Sequence, residues 1–387
     1  MTLALHSRRM RTVALLLAFF SLLVGATAAE AAKRKVPRGW LGTTADGPFN
    51  PRSREWNRMK SASVESVRTA FHWARLQPYP SAAAVPPGQE SRFRDVGGVP
   101  TDFTSTDRIV KAAARRRMEL LPVVEWTPSW AAALPGDAKS PPARPEDVSR
   151  IFTALVARYG PSGSLWDEQP DLPRRPVRAW QVFNEPNLKG YWSIQPFEQS
   201  YVVTLRAAEQ AVHAADPAAT VVLAGLTNMS WTALDAIYAA GARGSFDAVA
   251  IHPYTERPVN VVRILRYARE VTSRYGDAQV PIWVTEFGSP AAAGKFPRVP
   301  PWADFTDAGQ ARSLGRVLRR FVAARKQLRI GRVFWYTWLS IEGRGRVFDY
   351  SGLRRIRRGT TVDTPALAAF RRWERKLRGC PPRRACR

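Results

Sequence analysis

The chain has 387 residues, of which 45% are hydrophobic and 24% charged, so it can bury a sizeable core and is not a long disordered protein. A net charge of +27 suggests nucleic acid as a partner. The sequence lacks zinc-finger spacing, heptads behind a basic region and an RNA-recognition aromatic motif, so we expect no nucleic-acid binding. The basic surface is either simply solvated or attracted to an anionic cell wall or polysaccharide.

The N-terminus has the pattern of an export signal. Three arginines between residues 8 and 11 precede an apolar run over residues 12–25, which is shorter than the roughly 20 residues that span a bilayer. Two A-x-A cleavage sites follow, after Ala28 or Ala31. We expect a signal peptide over residues 1–31, a secreted or envelope-associated protein, and no membrane span in the mature chain.

Eight short, mostly apolar runs alternate with longer amphipathic segments, a pattern typical of parallel βα units. Eight buried parallel strands are what a closed barrel needs, so the pattern predicts an α/β protein with a single (β/α)8 TIM barrel. The predicted strands are residues 39–44, 67–71, 120–124, 177–183, 220–225, 246–251, 281–285 and 332–336. The predicted helices are residues 106–117, 145–159, 195–215, 231–240, 261–275 and 307–326.

We place the barrel domain at residues 32–375 and a basic tail at residues 376–387. In an exported protein Cys380 and Cys386 are expected to close a small disulfide loop in this tail. Three long Pro- and Gly-rich stretches follow strands, which is the side of a barrel where active sites form, and we expect them to wall a substrate cleft. They are residues 74–104, 127–144 and 289–306.

Two glutamates stand directly after apolar strands. Glu185 follows the fourth strand in a Trp-Gln-Val-Phe-Asn-Glu-Pro-Asn stretch, and Glu286 ends the seventh in Trp-Val-Thr-Glu-Phe-Gly. Burying a carboxylate there is unfavourable unless its charge is used. Strands four and seven face each other across a barrel mouth, so the two carboxylates form a candidate pair for glycoside hydrolysis, one as acid and one as nucleophile.

The Asn-Glu-Pro-Asn-Leu of residues 184–188, Tyr191-Trp192, the Thr-Glu-Phe-Gly of residues 285–288 and the late Gly352-Leu353 resemble glycoside hydrolase clan A, in particular family 39-like or family 5-like (cellulase-type) members. The resemblance covers roughly residues 38–375. It implies a retaining glycosidase that cleaves O-glycosidic bonds of a β-linked polysaccharide or oligosaccharide by double displacement.

Carried over residue by residue, the resemblance implies Glu185 as general acid/base and Glu286 as nucleophile. Arg68 would hold Glu286 ionised, and Asn184 would bind the sugar 2-hydroxyl. His252 and Tyr254 would line the cleft, and the Tyr254 hydroxyl would also reach Glu286. Either Trp335 or Trp338 would form a floor on which the sugar stacks.

Simpler interpretations remain open for these residues. Arg68 could be a surface arginine, His252 a satisfied core histidine, and the glutamates structural ion-pair partners. Further candidates for the cleft are Trp126, Trp130, Trp192 and His72, for which packing is an equal alternative. Asp102, Asp247 and Asp349 are interpreted as structural, with a position in the cleft as the alternative for Asp349. We find no serine-hydrolase elbow, phosphate loop or metal cluster, so the expected chemistry needs no cofactor and no metal.

Three rival functions remain on the same barrel: an exo-acting glycosidase, a transglycosylase, and a non-catalytic carbohydrate-binding protein attached to an anionic wall. The presence of both glutamates together with Asn184, Arg68 and Tyr254 argues against the binding protein, whereas the sequence does not choose between an open cleft and an exo-acting site.

Overall fold

The computed structural model describes residues 34–45 and 54–379. Arg38–Arg371 form one compact unit; the described part of a second unit comprises residues 34–37 and 372–379, where the Lys35 amide donates to the Leu377 carbonyl at 2.9 Å. The expected signal peptide and the pair Cys380 and Cys386 lie outside the described residues.

The larger unit is a barrel of eight parallel strands, as the sequence predicts. The strands are β1 (Leu41–Thr44), β2 (Ser66–His72), β3 (Glu119–Glu125), β4 (Ala179–Val182), β5 (Thr220–Val222), β6 (Val249–Ala250), β7 (Ile282–Phe287) and β8 (Ile330–Trp335). Their order in the sheet is β5-β4-β3-β2-β1-β8-β7-β6. Isolated parallel bridges between Val222 and Ala248 and between Leu226 and Ile251 join β5 to β6, so the barrel is nearly closed.

Helices separate the strands. They are α1 (Glu55–Ser61), α2 (Trp73–Leu76), α3 (Thr104–Arg115), α4 (Pro145–Tyr159), α5 (Ser164–Glu168), α6 (Glu198–Ala215), α7 (Ser230–Ala239), α8 (Pro258–Arg274), α9 (Asp307–Ala324) and α10 (Pro365–Leu377). Proline occupies the first turn of α4 and α8, where no backbone N–H is needed. Within residues 34–45 and 54–379, no helix has both the length and the apolarity to cross a bilayer.

The barrel strands are apolar because both of their faces are covered, one by the barrel interior and the other by helices. Strand β7 shows this most fully, since all six of its residues are buried. A buried cluster contributed by six of the strands and the segment before β6 includes Leu121, Ala179, Val222, Ala248, Ala250, Trp283 and Phe334. This packing fixes the strand ends from which the polar residues of the mouth project.

Two small sheets were not predicted. Within the long segment 74–104, Arg94–Val96 pairs antiparallel with Val99–Thr101. After β8, Leu339–Ile341 pairs with Arg354–Arg357, which pairs in turn with Thr360–Asp363. The second sheet anchors residues 342–349 beside the carboxyl ends of the strands, where the polar residues collect.

Candidate active site

The carboxyl ends of the barrel strands surround a cavity of about 370 Å³, which we call the catalytic cavity. Its lining includes both predicted glutamates together with residues from β2, β3, and the segments after β4 and β8. The lining residues are Arg68, Ala70, His72, Val123, Glu125, Trp126, Asn184, Glu185, Tyr191, Glu286, Tyr336, Arg346 and Phe348.

Barrel closure brings Glu185 and Glu286 together. One oxygen of each lies within 4.8 Å of the other and of a nitrogen of His252. Both residues are less than 9% exposed. Glu185 has a left-handed backbone with φ of 42°, and Phe183, two residues earlier, has φ of 62°. Such conformations cost of order 1–3 kcal/mol in non-glycine residues and concentrate at functional sites.

Arg68 holds the nucleophile candidate. This arginine in β2 is 2% exposed, so its charge needs a buried partner. Its Nη1 donates to Glu286 Oε1 at 2.7 Å, its Nη2 to Asn184 Oδ1 at 2.6 Å and its Nε to Gln181 Oε1 at 2.7 Å. One guanidinium therefore orients residues from β4 and β7 together, and Arg68 is not a surface arginine.

Tyr254 and His252 lie behind the two carboxylates. The Tyr254 hydroxyl donates to Glu286 Oε2 at 2.9 Å, as the resemblance implied. Burial, and next the negative charge of Glu286, raise the pKa of Tyr254 well above its usual value, so the phenol keeps its proton. His252 Nδ1 lies 2.8 Å from Glu185 Oε1, and its Nε2 lies 2.9 Å from Thr285 Oγ1.

His252 is only 1% exposed and has partners on both ring nitrogens. The sequence offered two interpretations for it, a core histidine and a residue of the cleft, and both apply. It is a satisfied buried histidine, and it also contacts the acid/base candidate directly. With Nδ1–H donating to Glu185, Nε2 is left to accept the Thr285 hydroxyl proton, which is a consistent arrangement for a neutral ring.

The prediction that Trp335 or Trp338 forms the floor on which the sugar stacks is wrong. Trp335 is fully buried, and its ring packs edge-on against Phe287 at 5.3 Å between centroids; Phe287 in turn packs against Phe321 of α9. Trp338 is also fully buried, with its indole N–H donating to Glu55 at 2.8 Å. Neither tryptophan has a face available to a sugar. The aromatic residues that do line the cavity are Trp126, Tyr191, Tyr336 and Phe348.

Two of the other candidates line the cavity, and two do not. Trp126 and His72 line it, whereas Trp192 is fully buried and donates to Ser200, and the half-buried Trp130 donates to the Gln77 carbonyl. Burial, and next the charge of Arg75, lower the pKa of His72 to about 4. The three aspartates make internal contacts: Asp102 with the Thr104 amide, Asp247 with the Val221 amide, and Asp349 with the Arg346 amide.

Gly225 is a site residue that sequence reasoning missed. A Cβ at this position would lie 2.0 Å from His252 Nε2, a distance that no pair of non-bonded atoms tolerates. The Gly225 carbonyl also accepts the Glu185 amide at 3.0 Å. The only signal in the sequence is a glycine at the end of the fifth predicted strand, which by itself is weak.

Comparison with known proteins agrees with this geometry. Residues 166–350 match the family model described as glycosyl hydrolase catalytic core. None of the curated proteins matches the chain significantly.

Solved glycosidase structures share the fold. A family 39 glycoside hydrolase from Bacteroides cellulosilyticus has a TM-score of 0.61 at 18% identity, over 89% of this chain and 64% of that one. A glucosidase from Croceicoccus marinus has a TM-score of 0.62 at 16% identity, over 89% and 70%. A monomeric beta-xylosidase from Caulobacter crescentus has a TM-score of 0.59 at 18% identity, over 87% of this chain and 68% of that one.

This chain therefore spans about two thirds of the length of those structures, and at such low identity they establish its fold. The chain thus has a (β/α)8 barrel similar to those of family 39 glycosidases, and its residues 166–350 are similar to a glycosyl hydrolase catalytic core.

Proposed function

We propose that this protein is a secreted glycosidase that cleaves β-linked glycans by double displacement, with retention of configuration. The observation that carries the proposal is the approach of one Glu185 oxygen to within 4.8 Å of one Glu286 oxygen. Retaining enzymes hold their carboxyl groups about 5–5.5 Å apart, whereas inverting enzymes leave about 6.5–9.5 Å for a water molecule. This approach of the nearest oxygens supports direct attack by a carboxylate.

Glu286 is the better nucleophile of the two. It receives a charged donor from Arg68 and a hydroxyl donor from Tyr254, one on each oxygen. Both contacts stabilise the ionised carboxylate and fix its orientation. In the first step a Glu286 oxygen bonds to the anomeric carbon as the bond from that carbon to the leaving oxygen breaks.

Glu185 is suited to proton transfer. His252 occupies its Oε1, while its Oε2 makes no hydrogen bond with a described residue. We assign to Oε2 the transfer of a proton to the leaving oxygen in the first step. In the second step the same group accepts a proton from water, which attacks the anomeric carbon and releases Glu286.

We assign sugar binding to Asn184. Its Oδ1 accepts from Arg68, so the amide group is oriented and its Nδ2 remains a donor for a 2-hydroxyl. Tyr336, Phe348, Trp126 and Tyr191 supply flat faces to sugar rings in place of the predicted tryptophans. The description of one similar structure as a beta-xylosidase supports a β-linked substrate. Export rests on the N-terminal signal pattern alone.

The experiment is sugar release from β-glucan, xylan, mannan, galactan and bacterial exopolysaccharides by wild-type protein and by Glu286→Gln. We expect release by the wild type and a loss of about a thousandfold or more in the variant, because the nucleophile is gone. Glu270→Gln is the matched control, since Glu270 is exposed on α8 and should leave activity unchanged.

Equal release by Glu286→Gln and wild type would refute the assignment of Glu286. Glycan binding by both proteins without any release would instead indicate a non-catalytic carbohydrate-binding protein.

A further inference from the structure

A second cavity of about 350 Å³ adjoins the catalytic cavity, and we call it the side cavity. The two cavities share part of their walls, so together they form one cleft with room for more than one sugar residue. The shared residues are Tyr191, Tyr336, Arg346 and Phe348. The rings of Tyr336 and Phe348 lie 5.4 Å apart at 80°, which puts an aromatic wall at the junction.

The side cavity has an uncompensated positive charge. Arg344 and Arg346 line it, and Asp349 is the only acidic residue in its lining. Asp349 is 3% exposed; its Oδ2 accepts the Arg346 amide at 3.0 Å, and its Oδ1 lies 3.5 Å from Arg346 Nε. Asp349 therefore balances Arg346 and leaves Arg344 without a counter-charge in the cavity.

The neighbouring acid, Glu342, is also engaged elsewhere. Its Oε1 accepts from Arg355 at 2.9 Å and from Arg357 at 2.6 Å. Among the described residues, Arg344 makes no hydrogen bond and no ion pair, and its side chain is exposed. It stands between Gly343 and Gly345, both with φ of 85° and with open space around them. The guanidinium is thus free to meet a ligand that occupies the side cavity.

We propose that the side cavity binds a sugar residue that carries a negative charge, a uronic acid carboxylate or a sulfate ester, and that Arg344 is its specificity-determining contact. Guanidinium groups form paired, charge-assisted hydrogen bonds with both anions. The net charge of +27 adds a positive field that favours the approach of an anionic glycan. The inference rests on the proposed function, because it names the substrate class of the same cleft.

The test is equilibrium binding of three ligands: cellotriose, cellotriose oxidised at C6 to the uronate, and cellotriose 6-sulfate. It uses the Glu185→Gln background, which prevents turnover and keeps the Glu286–Arg68 ion pair, and every protein compared carries this same change. We expect at least one anionic ligand to bind about threefold to tenfold more tightly than cellotriose at low salt, with the preference reduced at high salt.

Adding Arg344→Gln should remove that preference, and Arg344→Lys should retain part of it. The matched control is Arg320→Gln, which removes one exposed arginine from α9 and should leave the preference intact. Whichever anion is preferred identifies the source of the charge. Equal binding of neutral and anionic ligands, equal losses in Arg344→Gln and Arg320→Gln, or no binding of any of the three would overturn the proposal.

The outcome is separable from that of the proposed function. Hydrolysis of neutral glycans without an anionic preference would leave the glycosidase standing and refute the role of Arg344. A preference for anionic ligands in a protein that hydrolyses no glycan would support the role of Arg344 and refute the glycosidase.

Discussion

Arg68 shows why the mouth of this barrel can hold two buried glutamates. Its guanidinium donates to groups from β4 and β7 while lying 2% exposed in β2. Leaving a buried charge unpaired costs about 3–5 kcal/mol, so Arg68 and Glu286 each depend on the other. The sequence predicted this pair through family resemblance, but the contact with Gln181 is visible only once the strands are adjacent.

His72 provides a residue-scale prediction about pH. Its pKa is lowered from 6.5 to about 4, so the unfolded chain binds a proton between these values when the folded chain does not. Stability should therefore fall as pH falls from about 6.5 to 4. Comparing denaturant unfolding of wild type and His72→Asn at both ends of this window isolates the contribution, and the variant should lose less stability.

The control for that experiment is His213→Asn. The pKa of His213 is raised because, although burial opposes the charge, the contacts with Glu209 and Asp247 outweigh it. Its contribution is present below the unfolded pKa and lost as pH rises, so this variant should lose more stability on acidification than wild type. Identical pH profiles for wild type and His72→Asn would contradict the account.

At the scale of elements, the contact between the ends of β5 and β6 determines the position of His252. Gly225 and His252 meet there in the core, and the missing Cβ of Gly225 is what lets the imidazole reach Glu185. Neighbouring barrel strands have little freedom to separate, because interiors are close-packed.

Gly225→Ala is expected to displace His252 and, with it, Glu185. Overpacking should lower the free energy of unfolding by about 1–3 kcal/mol, and the misplaced acid/base should reduce kcat by about a hundredfold. The matched control is Gly190→Ala, where a Cβ would meet nothing within 4 Å. Full activity in Gly225→Ala, measured on the glycan found by the release assay, would show that His252 does not position Glu185.

The barrel strands could be predicted from the sequence, whereas the stacking residue and the roles of Gly225 and Arg344 could not. All eight strands were located, because burial on both faces demands continuous apolar runs, and only their ends moved by a few residues. The stacking residue was misplaced because side chains alternate along a strand: Trp335 packs against Phe287, while Tyr336 lines the cavity. Gly225 and Arg344 could not be assigned, because their surroundings come from distant segments.

At the scale of the whole molecule, barrel closure brings two glutamates separated by about a hundred residues of chain into one site. The (β/α)8 architecture presents the carboxyl ends of all strands on one face, where chemistry is built, and leaves the helices outside. Many of the 59 lysines and arginines stand on those outer helices, as Arg312, Arg316 and Arg319 do on α9. The basic residues of the exterior are therefore separate from the catalytic cavity, where Arg68 pairs with Glu286.

The most direct test of the central claim is the anomeric configuration of the first product. It is followed by proton NMR during hydrolysis of the best glycan from the release assay, before mutarotation scrambles the signal. Retention, with the newly formed reducing sugar carrying the β configuration of the substrate, is the result expected from the short approach of Glu185 to Glu286. An initial α product would mean single displacement by water and would contradict the assignment of Glu286 as nucleophile.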